Sequence, residues 1–340
     1  MTSGAWMILC AALSLDPGEC FCPPADCEPF DCECDCEQSD RSNWLTSQDW
    51  SHYINPFAPM DIEREPRYVD PYGWQFLQVP YRLGWVKHDE LNFLPAAETS
   101  GAATGSMQTT EFYSWLRYSY LAHPDVLVNL TGIWDGYYWS GPMQPNLPGQ
   151  VDRLSLDMEA ALLGHGPVNT TIGFHPQIVM DPEDHLTKNA FNFDGRIVNT
   201  HRLSDEWLLV YGVAFWDRVN VLVIPEVGAV WMPDDRWEFR LLFPRSQFSY
   251  RLGELNGGQT WITSVVEYVV QAYQVKMPGA GDDRIQLQDW RASVGLRQDY
   301  ERISWEFDAG VVFDRNIKFR DDVSEFDIDP TGLLRFAFWF

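Results

Sequence analysis

ERISWEFDAGVVFD, residues 301–314, alternates apolar and polar side chains along its length. Its apolar face consists of Ile303, Trp305, Phe307, Ala309, Val311 and Phe313. Its polar face consists of Arg302, Ser304, Glu306, Asp308 and Asp314. This alternation has no helical explanation, because a helix returns side chains to one face about every 3.6 residues. The segment therefore predicts a long β-strand with one apolar and one polar face.

The same alternation recurs in three further segments, 151–163, 236–243 and 286–299. Most predicted strands are longer than the roughly 5–6 residues that are usual in a soluble β-sandwich. They reach the roughly 9–11 residues that a transmembrane strand needs. Strand length therefore favours a barrel in a membrane.

Connection lengths give an independent argument, because outer-membrane barrels alternate long outer loops with short inner turns. With a first strand at 75–87, the predicted outer loops are 88–108, 139–149, 181–188, 276–285 and 315–330. The predicted inner turns are 122–123, 164–167, 203–205, 233–235, 255–258 and 299–300. Two outer connections are short, at Asp217-Arg218 and Pro244-Arg245. The pattern predicts an all-β, antiparallel, up-and-down transmembrane barrel over 72–340. It would have about 14 strands, or about 12 if the two short connections are not turns.

Composition narrows the function classes. Aromatic residues make up 15% of the chain, including 16 Trp and 14 Tyr, and Trp and Tyr collect at membrane–water interfaces. A soluble, exported, Trp-rich β protein that binds glycans is the alternative interpretation of this composition. The net charge of -25 argues against nucleic acid as a partner, since phosphates need basic surfaces.

The last strand of the chain carries a candidate assembly signal. Leu334, Phe336, Phe338 and Phe340 alternate up to the final residue. A terminal amphipathic strand that ends in Phe is the feature that outer-membrane barrel assembly machinery reads on its clients. In a soluble protein such a strand would be an aggregation-prone edge. The expected partners are therefore the assembly machinery and outer-membrane lipids.

The first residues predict export. Residues 1–19 resemble a signal peptide, because 5–15 (AWMILCAALSL) form one apolar run. The match is incomplete, since Arg41 is the first basic residue. We expect 20–71 to be a mostly disordered tail and linker in the periplasm, because this acidic segment has little to bury.

The tail contains six cysteines, Cys20, Cys22, Cys27, Cys32, Cys34 and Cys36. In an oxidising compartment an even number favours disulfides within the tail. Alternation of thiols with carboxylates suggests Cys32, Cys34 and Cys36 as weak candidates for a soft-metal site, although the spacing matches no standard zinc pattern. Disulfides between chains are a third alternative.

The candidate functional region is the polar face of the predicted strands, which would line a lumen. The residues assigned to it are Arg153, Asp157, Glu159, Asp289, Arg291, Arg297, Arg302, Glu306 and Asp308. Both charge signs are present. Such a lumen is either filled with water or crosslinked by ion pairs, and the sequence leaves both alternatives open.

The sequence offers no catalytic constellation and predicts no cofactor. The histidines do not form a metal-ligand pattern, and most lie near predicted strand ends, where a solvated or capping role is expected. A barrel lipase, the less favoured enzymatic alternative, would need a Ser/His pair that faces lipid. His175 instead shares the polar face of its strand with Asn169 and Gln177.

The segment 207–252 resembles a family of uncharacterised outer-membrane barrel proteins from planctomycete-type bacteria. The resemblance rests on Arg218 in a short joint and on the motifs V-I-P-x-x-G (Val223, Ile224, Pro225, Gly228), W-x-P (Trp231, Pro233) and LLFPRSQFSYR at 241–251. It extends over roughly 70–340 and implies the fold and location, since the family has no established activity. Together these features predict a non-enzymatic outer-membrane barrel that is a passive pore or a structural envelope component. The solute and the oligomeric state are left open.

Overall fold

The computed structural model describes residues 84–123, 125–162, 168–182, 185–204, 206–234, 236–277, 281–300, 303–321 and 325–340. The predictions that lie outside these residues concern segments 1–19 and 20–71, the start of the predicted barrel at 72–83, the inner turn 164–167, the cysteines Cys32, Cys34 and Cys36, and Arg302. Within the described part of the chain, no helix is both long and apolar enough to cross a membrane.

The described residues form one antiparallel sheet that closes on itself. Its first eight strands are β1 (Gly84–Gly101), β2 (Ser106–His123), β3 (Val126–Ser140), β4 (Gln150–Leu162), β5 (Val168–Met180), β6 (Phe191–Arg202), β7 (Trp207–Asp217) and β8 (Val221–Trp231). The remaining strands are β9 (Trp237–Phe243), β10 (Arg245–Leu255), β11 (Gly258–Met277), β12 (Gly281–Asp299), β13 (Ser304–Phe319), β14 (Phe326–Ile328) and β15 (Thr331–Trp339). A short 3₁₀ turn, Lys188–Ala190, precedes β6.

The ring formed by the described residues has 14 strand positions. Each strand pairs with its neighbours in the chain. β14 and β15 share one position, because both pair with β1 on one side and with β13 on the other. The short outer connections after Asp217 and Phe243 are true turns. The count of 14 is therefore confirmed, and the alternative of 12 is wrong.

The first and last strands close the ring. Residues 88–93 of β1 pair with 334–339 of β15. Lys87 and Phe340 extend the ladder by exchanging two backbone hydrogen bonds, of 2.9 and 3.1 Å. We call the end of the barrel that holds Gly84 and Phe340 the base, and the opposite end the mouth.

The two faces of the wall differ in chemistry, as β13 illustrates. Phe307, Val311 and Phe313 point outward and are exposed, whereas Glu306 and Asp308 point into the ring and are buried. Exposed large apolar side chains occur on the outer face of every strand position. The barrel is therefore apolar outside and polar inside over most of its height.

Aromatic side chains mark two levels on the outer face. Trp85 and Phe93 on β1, Trp207 and Phe215 on β7, and Trp305 and Phe313 on β13 are pairs of outward residues eight positions apart. At the lower level, aromatic rings on neighbouring strands contact each other. The ring centroids of Trp207 on β7 and Trp231 on β8, for example, lie 5.4 Å apart. The outer surface thus carries an upper and a lower aromatic belt.

The predicted outer loop at 88–108 is wrong, because residues 88–101 belong to β1. Lys87 and Asp89 face outward on this strand, where an apolar residue would be expected, and they pair with each other. A β-bulge after Leu94 then shifts the register. Both features obscure the alternation from which strands are predicted.

The predicted outer loops at 276–285 and 315–330 are also mostly strand. β11 and β12 together leave only three positions between Met277 and Gly281, and β13 continues to Phe319 before β14 begins. At Asp314 the backbone adopts φ 53°, and this irregularity interrupts the alternation.

The upper part of the β11–β12 hairpin leaves the barrel wall. In 272–275 and 283–286, consecutive side chains are buried, so both faces of the hairpin are covered. β11 contacts β4, which lies opposite it, with six strand positions between the two strands in either direction around the ring. The hairpin therefore lies across the mouth of the barrel and is surrounded by protein.

Candidate functional site

An ion-pair network crosses the interior at mid-height. Arg291 on β12 donates to both carboxylate oxygens of Glu111 on β2, at 2.6 and 2.8 Å. It also donates to Asp289 at 2.7 Å. Asn92 on β1 donates to Glu111 at 3.1 Å and to Glu90 at 2.8 Å. All five side chains are buried, so the network ties strands that are not neighbours in the sheet.

A second set of buried groups joins the closing strand to β11. Arg335 on β15 forms an ion pair with Glu267, and Glu267 also pairs with Arg245 on β10. The Arg335 Nε donates to Asn92 at 3.2 Å, and the Arg335 Nη1 lies 3.8 Å from Asp308. Because β15 and β11 are separated by other strands, these contacts also pass through the interior.

Arg153 connects the β11–β12 hairpin to the opposite wall. Its guanidinium donates to Asp135 at 2.9 Å on one side and to the Gln271 Oε1 at 2.5 Å on the other. Arg153 lies on β4 and Gln271 on β11, so this contact spans the ring. A buried guanidinium that donates hydrogen bonds to acceptors on two strands joins those strands rigidly and in a fixed direction.

The hairpin face that points toward β1–β4 is apolar. Tyr273 is fully buried there, with its ring centroid 5.3 Å from that of Tyr137 and 6.4 Å from that of Trp139. The surrounding core also contains Met107, Val151, Val179, Val275, Ile285, Ile317, Phe319, Phe326 and Ile328. This apolar cluster fills one side of the mouth.

The opposite hairpin face is polar and rests on the ends of β5–β8. The Gln274 Oε1 accepts from the Thr187 backbone N–H at 3.0 Å, and the Gln274 Nε2 donates to the His185 carbonyl at 2.8 Å. Arg284 donates to Asn192 and to the Asp217 carbonyl. The hairpin is thus fixed on both faces, and the mouth is bridged by one apolar and one polar contact surface.

The sequence-assigned polar residues are found in several separate groups. Arg153, Arg291 and Asp289 lie in the cross-ring contacts described above. Asp157 and Glu159 share Arg196, whose Nη2 lies 3.2 and 2.6 Å from their carboxylates. These residues bridge β4 and β6.

Three further assigned residues lie toward the base. Glu306 accepts from Thr263 at 2.6 Å, and Asp308 lies beside Arg335. Arg297 pairs locally with Asp299 at 3.0 Å. These contacts do not converge with the Arg153 group, so the assigned residues do not form one compact site.

Several central residues were missed by sequence reasoning. Glu111, Glu267 and Arg335 make cross-strand ion pairs, yet each has only apolar or neutral neighbours in its strand. Their inward parity could have identified them, because each lies an even number of positions from a neighbouring inward residue of its strand. Their partners could not have been found in this way.

His88 departs from the expectation that histidines lie in solvated positions near strand ends. It is buried on β1 and stacks on Trp115 with ring centroids 5.3 Å apart. His175 faces the interior, as its strand pattern predicts. In the described part of the chain, no group of three or more His, Cys, Asp or Glu side chains is arranged to hold a metal ion.

Comparisons with known proteins give structural likenesses only. No protein-family model and no curated protein matches the chain. An outer membrane channel from Pseudomonas putida F1 is 11% identical with a TM-score of 0.43, over 80% of this chain and 100% of that one. The Pseudomonas putida toluene transporter TodX is 7% identical with a TM-score of 0.39, over 76% and 89% of the two chains. A mutant Rh. blastica porin is 9% identical with a TM-score of 0.29, over 76% and 99%. Identities this low carry no function to this chain.

Proposed function

We propose that the chain is a non-enzymatic outer-membrane β-barrel that serves as a structural envelope component with a closed interior, rather than as a wide passive pore. The observation that carries this proposal is the combination of an apolar, aromatic-bounded outer surface with an interior bridged across the ring.

The outer surface has the dimensions of a membrane-spanning band. The aromatic belts lie eight residues apart on β1, β7 and β13. At about 3.3 Å per residue this is about 26 Å along a strand, or about 20 Å along the barrel axis for a tilt of about 40°. Outer-membrane barrels have apolar bands of about 25 Å flanked by aromatic girdles. The match supports insertion in a membrane.

The alternatives fit this surface less well. A soluble glycan-binding protein would leave apolar side chains exposed around the whole ring, and soluble monomers rarely expose contiguous apolar patches beyond a few hundred Å². A lipid hydrolase would need its catalytic pair on the outer face, whereas His175 faces inward.

The interior supports the closed form of the barrel. The β11–β12 hairpin crosses the mouth, and its two faces are fixed by the Tyr273 cluster and by the Gln274 and Arg284 contacts. Below it, Arg291 and Arg335 link strands across the ring. The described side chains that join opposite strands occupy the space between those strands, so they leave little room for a wide water-filled path.

Connection lengths support an orientation with the base in the periplasm. The connections at the base have at most five residues, such as 124–125, 203–206 and 256–257. The two longest connections, 141–149 and 181–190, are at the mouth, where the connections after Asp217 and Phe243 are short. Short periplasmic turns and longer outer loops are the rule for bacterial barrels. In this orientation a tail before β1 lies in the periplasm, and Phe340 is presented there to the assembly machinery.

Conductance in planar bilayers tests the closed interior. The wild-type chain should give little steady conductance. Replacing 271–287 with an Asn-Gly turn should increase it, because Val270 and Gln288 are already opposite each other in the ladder and the wall can close at that height. Lys276→Ala, at the exposed tip of the same hairpin, is the control and should behave as wild type. A large steady conductance from the wild-type protein would contradict the proposal.

A further inference from the structure

A cavity of about 50 Å³ lies inside the barrel, beside β4–β8 and below the hairpin. The polar and aromatic side chains that line it are Asp157, His175, Asp194, Arg196, Trp216 and Glu226. Gly173, Gly195 and Ala214 complete the lining, and these small residues make the space. At Gly173 a Cβ would lie 3.0 Å from the Arg196 Cγ and 3.1 Å from its Nε, so the Arg196 side chain packs over the glycine.

Glu226 is the most unusual group in this cavity. Its side chain is buried, with the residue 4% exposed, and its Oε2 has no hydrogen-bond partner among the residues that the structure describes. The neighbouring Arg196 uses its Nη2 to bind Asp157 and Glu159. A buried carboxylate without a donor is costly. The position therefore favours an occupant that supplies N–H donors and positive charge.

His175 contributes the opposite hydrogen-bonding character. The Gln177 Nε2 donates to Asp194 at 2.6 Å, which fixes the orientation of that amide. The same nitrogen lies 3.3 Å from the His175 Nδ1, so Nδ1 is the acceptor and the neutral ring carries its proton on Nε2. That Nε2 is buried and has no partner in the described part of the chain. The cavity thus offers one donor as well as acceptors.

The charge balance around the cavity is negative. Arg218 neutralises Asp194 with hydrogen bonds of 2.8 and 2.9 Å, and Arg196 is shared between Asp157 and Glu159. Among the described groups, the carboxylates of Asp157, Asp194 and Glu226 in the lining and of Glu159 beside it outnumber the two guanidinium groups by two. The side chains of Asp157 and Arg196 are 13% and 26% exposed, so solvent reaches this edge of the site.

We propose that this cavity binds a small organic ammonium ion that also carries a hydroxyl group. The ammonium group donates to Glu226 and Asp157, and the hydroxyl oxygen accepts from the His175 Nε2–H. The volume admits a molecule of only a few non-hydrogen atoms. This inference rests on the barrel interior and is independent of whether the barrel conducts.

Calorimetric titration of the full chain, refolded in detergent, tests the proposal. Ethanolamine is the probe, with ethylene glycol and glycolate as neutral and anionic molecules of the same size, all at equal ionic strength. We expect saturable binding of one ethanolamine per chain and at least tenfold weaker binding of the other two. No saturable binding, equal binding of ethylene glycol, or tighter binding of Mg²⁺ or Ca²⁺ at the same site would overturn the proposal.

Two variants locate the site. Glu226→Gln should weaken ethanolamine binding at least tenfold, whereas Glu254→Gln, on the exposed base end of β10, should leave it unchanged. His175→Phe should remove the preference for ethanolamine over ethylamine. Heat-modifiable mobility on gels verifies folding, and the wild-type comparison of probes stands even where a variant does not fold. Unchanged binding by folded Glu226→Gln would overturn the assignment.

Discussion

Arg291 and Glu111 lie 180 residues apart in the chain and form a doubly hydrogen-bonded ion pair inside the barrel, with distances of 2.6 and 2.8 Å. Both residues are buried, at 5% and 4% exposure. They belong to β12 and β2, which are separated in the ring by β13, the β14–β15 position and β1. The pair therefore joins strands on either side of the β1–β15 junction from inside the barrel, in addition to the backbone hydrogen bonds of the sheet.

Removing one partner of this pair should destabilise the barrel strongly. Arg291→Met leaves the Glu111 and Asp289 carboxylates buried without their cation, and breaking such a pair costs about 3–5 kcal/mol. The double variant Arg291→Met/Glu111→Leu should recover part of the loss. Denaturant unfolding in lipid vesicles measures the free energies. Arg236→Met, at an exposed turn, is the control and should change stability by less than about 0.5 kcal/mol. Additive effects in the double variant would mean that the pair does not couple the strands.

A charge on the outer face should be penalised according to depth. Val294 is 58% exposed and pairs with Ala309, which lies midway between the aromatic residues Trp305 and Phe313 of β13. Leu255 is 55% exposed and lies at the base of the barrel. In a membrane, Val294→Arg should cost about 2–4 kcal/mol and Leu255→Arg about 0–1 kcal/mol. Unfolding in vesicles gives both values. If the surface faced water, two equally exposed sites would tolerate arginine equally well.

Gly228 should tolerate no side chain. A Cβ at this position would lie 1.9 Å from the Leu241 carbonyl oxygen and 2.9 Å from the Leu242 Cα, and φ is +154°. These are backbone atoms of the paired strand β9, so no rotamer change relieves the contact. We expect Gly228→Ala to cost about 2–4 kcal/mol by strain and overpacking. Gly332→Ala, where a Cβ meets nothing within 4 Å, is the matched control. Equal stability of the two variants would contradict the register of β8 and β9.

Deleting 331–340 should abolish stable insertion. These residues pair with β1 and β13, and unpaired backbone groups in hydrocarbon cost several kcal/mol each. Deleting Phe340 alone removes only its two bonds to Lys87, so refolding in detergent should be nearly normal while the amount assembled in cells falls. Refolding yield in detergent reports the loss of backbone pairing, whereas abundance in the outer membrane also reports the loss of the assembly signal. Comparing the two measurements therefore separates these effects. Normal membrane levels after deletion of 331–340 would contradict ring closure by β15.

The alternation in 151–163, 286–299 and 301–314 predicts long strands with two unlike faces, and the connection lengths add the barrel and a count of about 14 strands, with 12 as the alternative. Each of these strands crosses one uniform environment, apolar outside and polar inside, and such an environment leaves a period of two in the sequence. Where the environment changes, the pattern fails. On β1 the outward residues Lys87 and Asp89 are polar, so the sequence predicts a loop from residue 88 onward where the strand in fact continues.

The interior could be predicted only in part. The alternation of side chains between the two faces of a strand predicts that Arg153, Asp289 and Arg291 point inward. It does not predict which strand lies across the barrel from each of them. The contact of Arg153 with Gln271 arises because the β11–β12 hairpin folds inward. That folding depends on three-dimensional packing around Tyr273, and packing of this kind leaves no periodic signal.

The location of the native protein in the cell tests whether the chain is an outer-membrane β-barrel. Cells that produce the full chain are lysed, their inner and outer membranes are separated by density, and the membranes are washed with alkaline carbonate. We expect the protein to stay in the outer-membrane fraction after the wash and to be extracted only by detergent. The extracted protein should migrate faster on gels when it is not heated. Release of folded protein by osmotic shock, without detergent, would contradict the outer-membrane assignment.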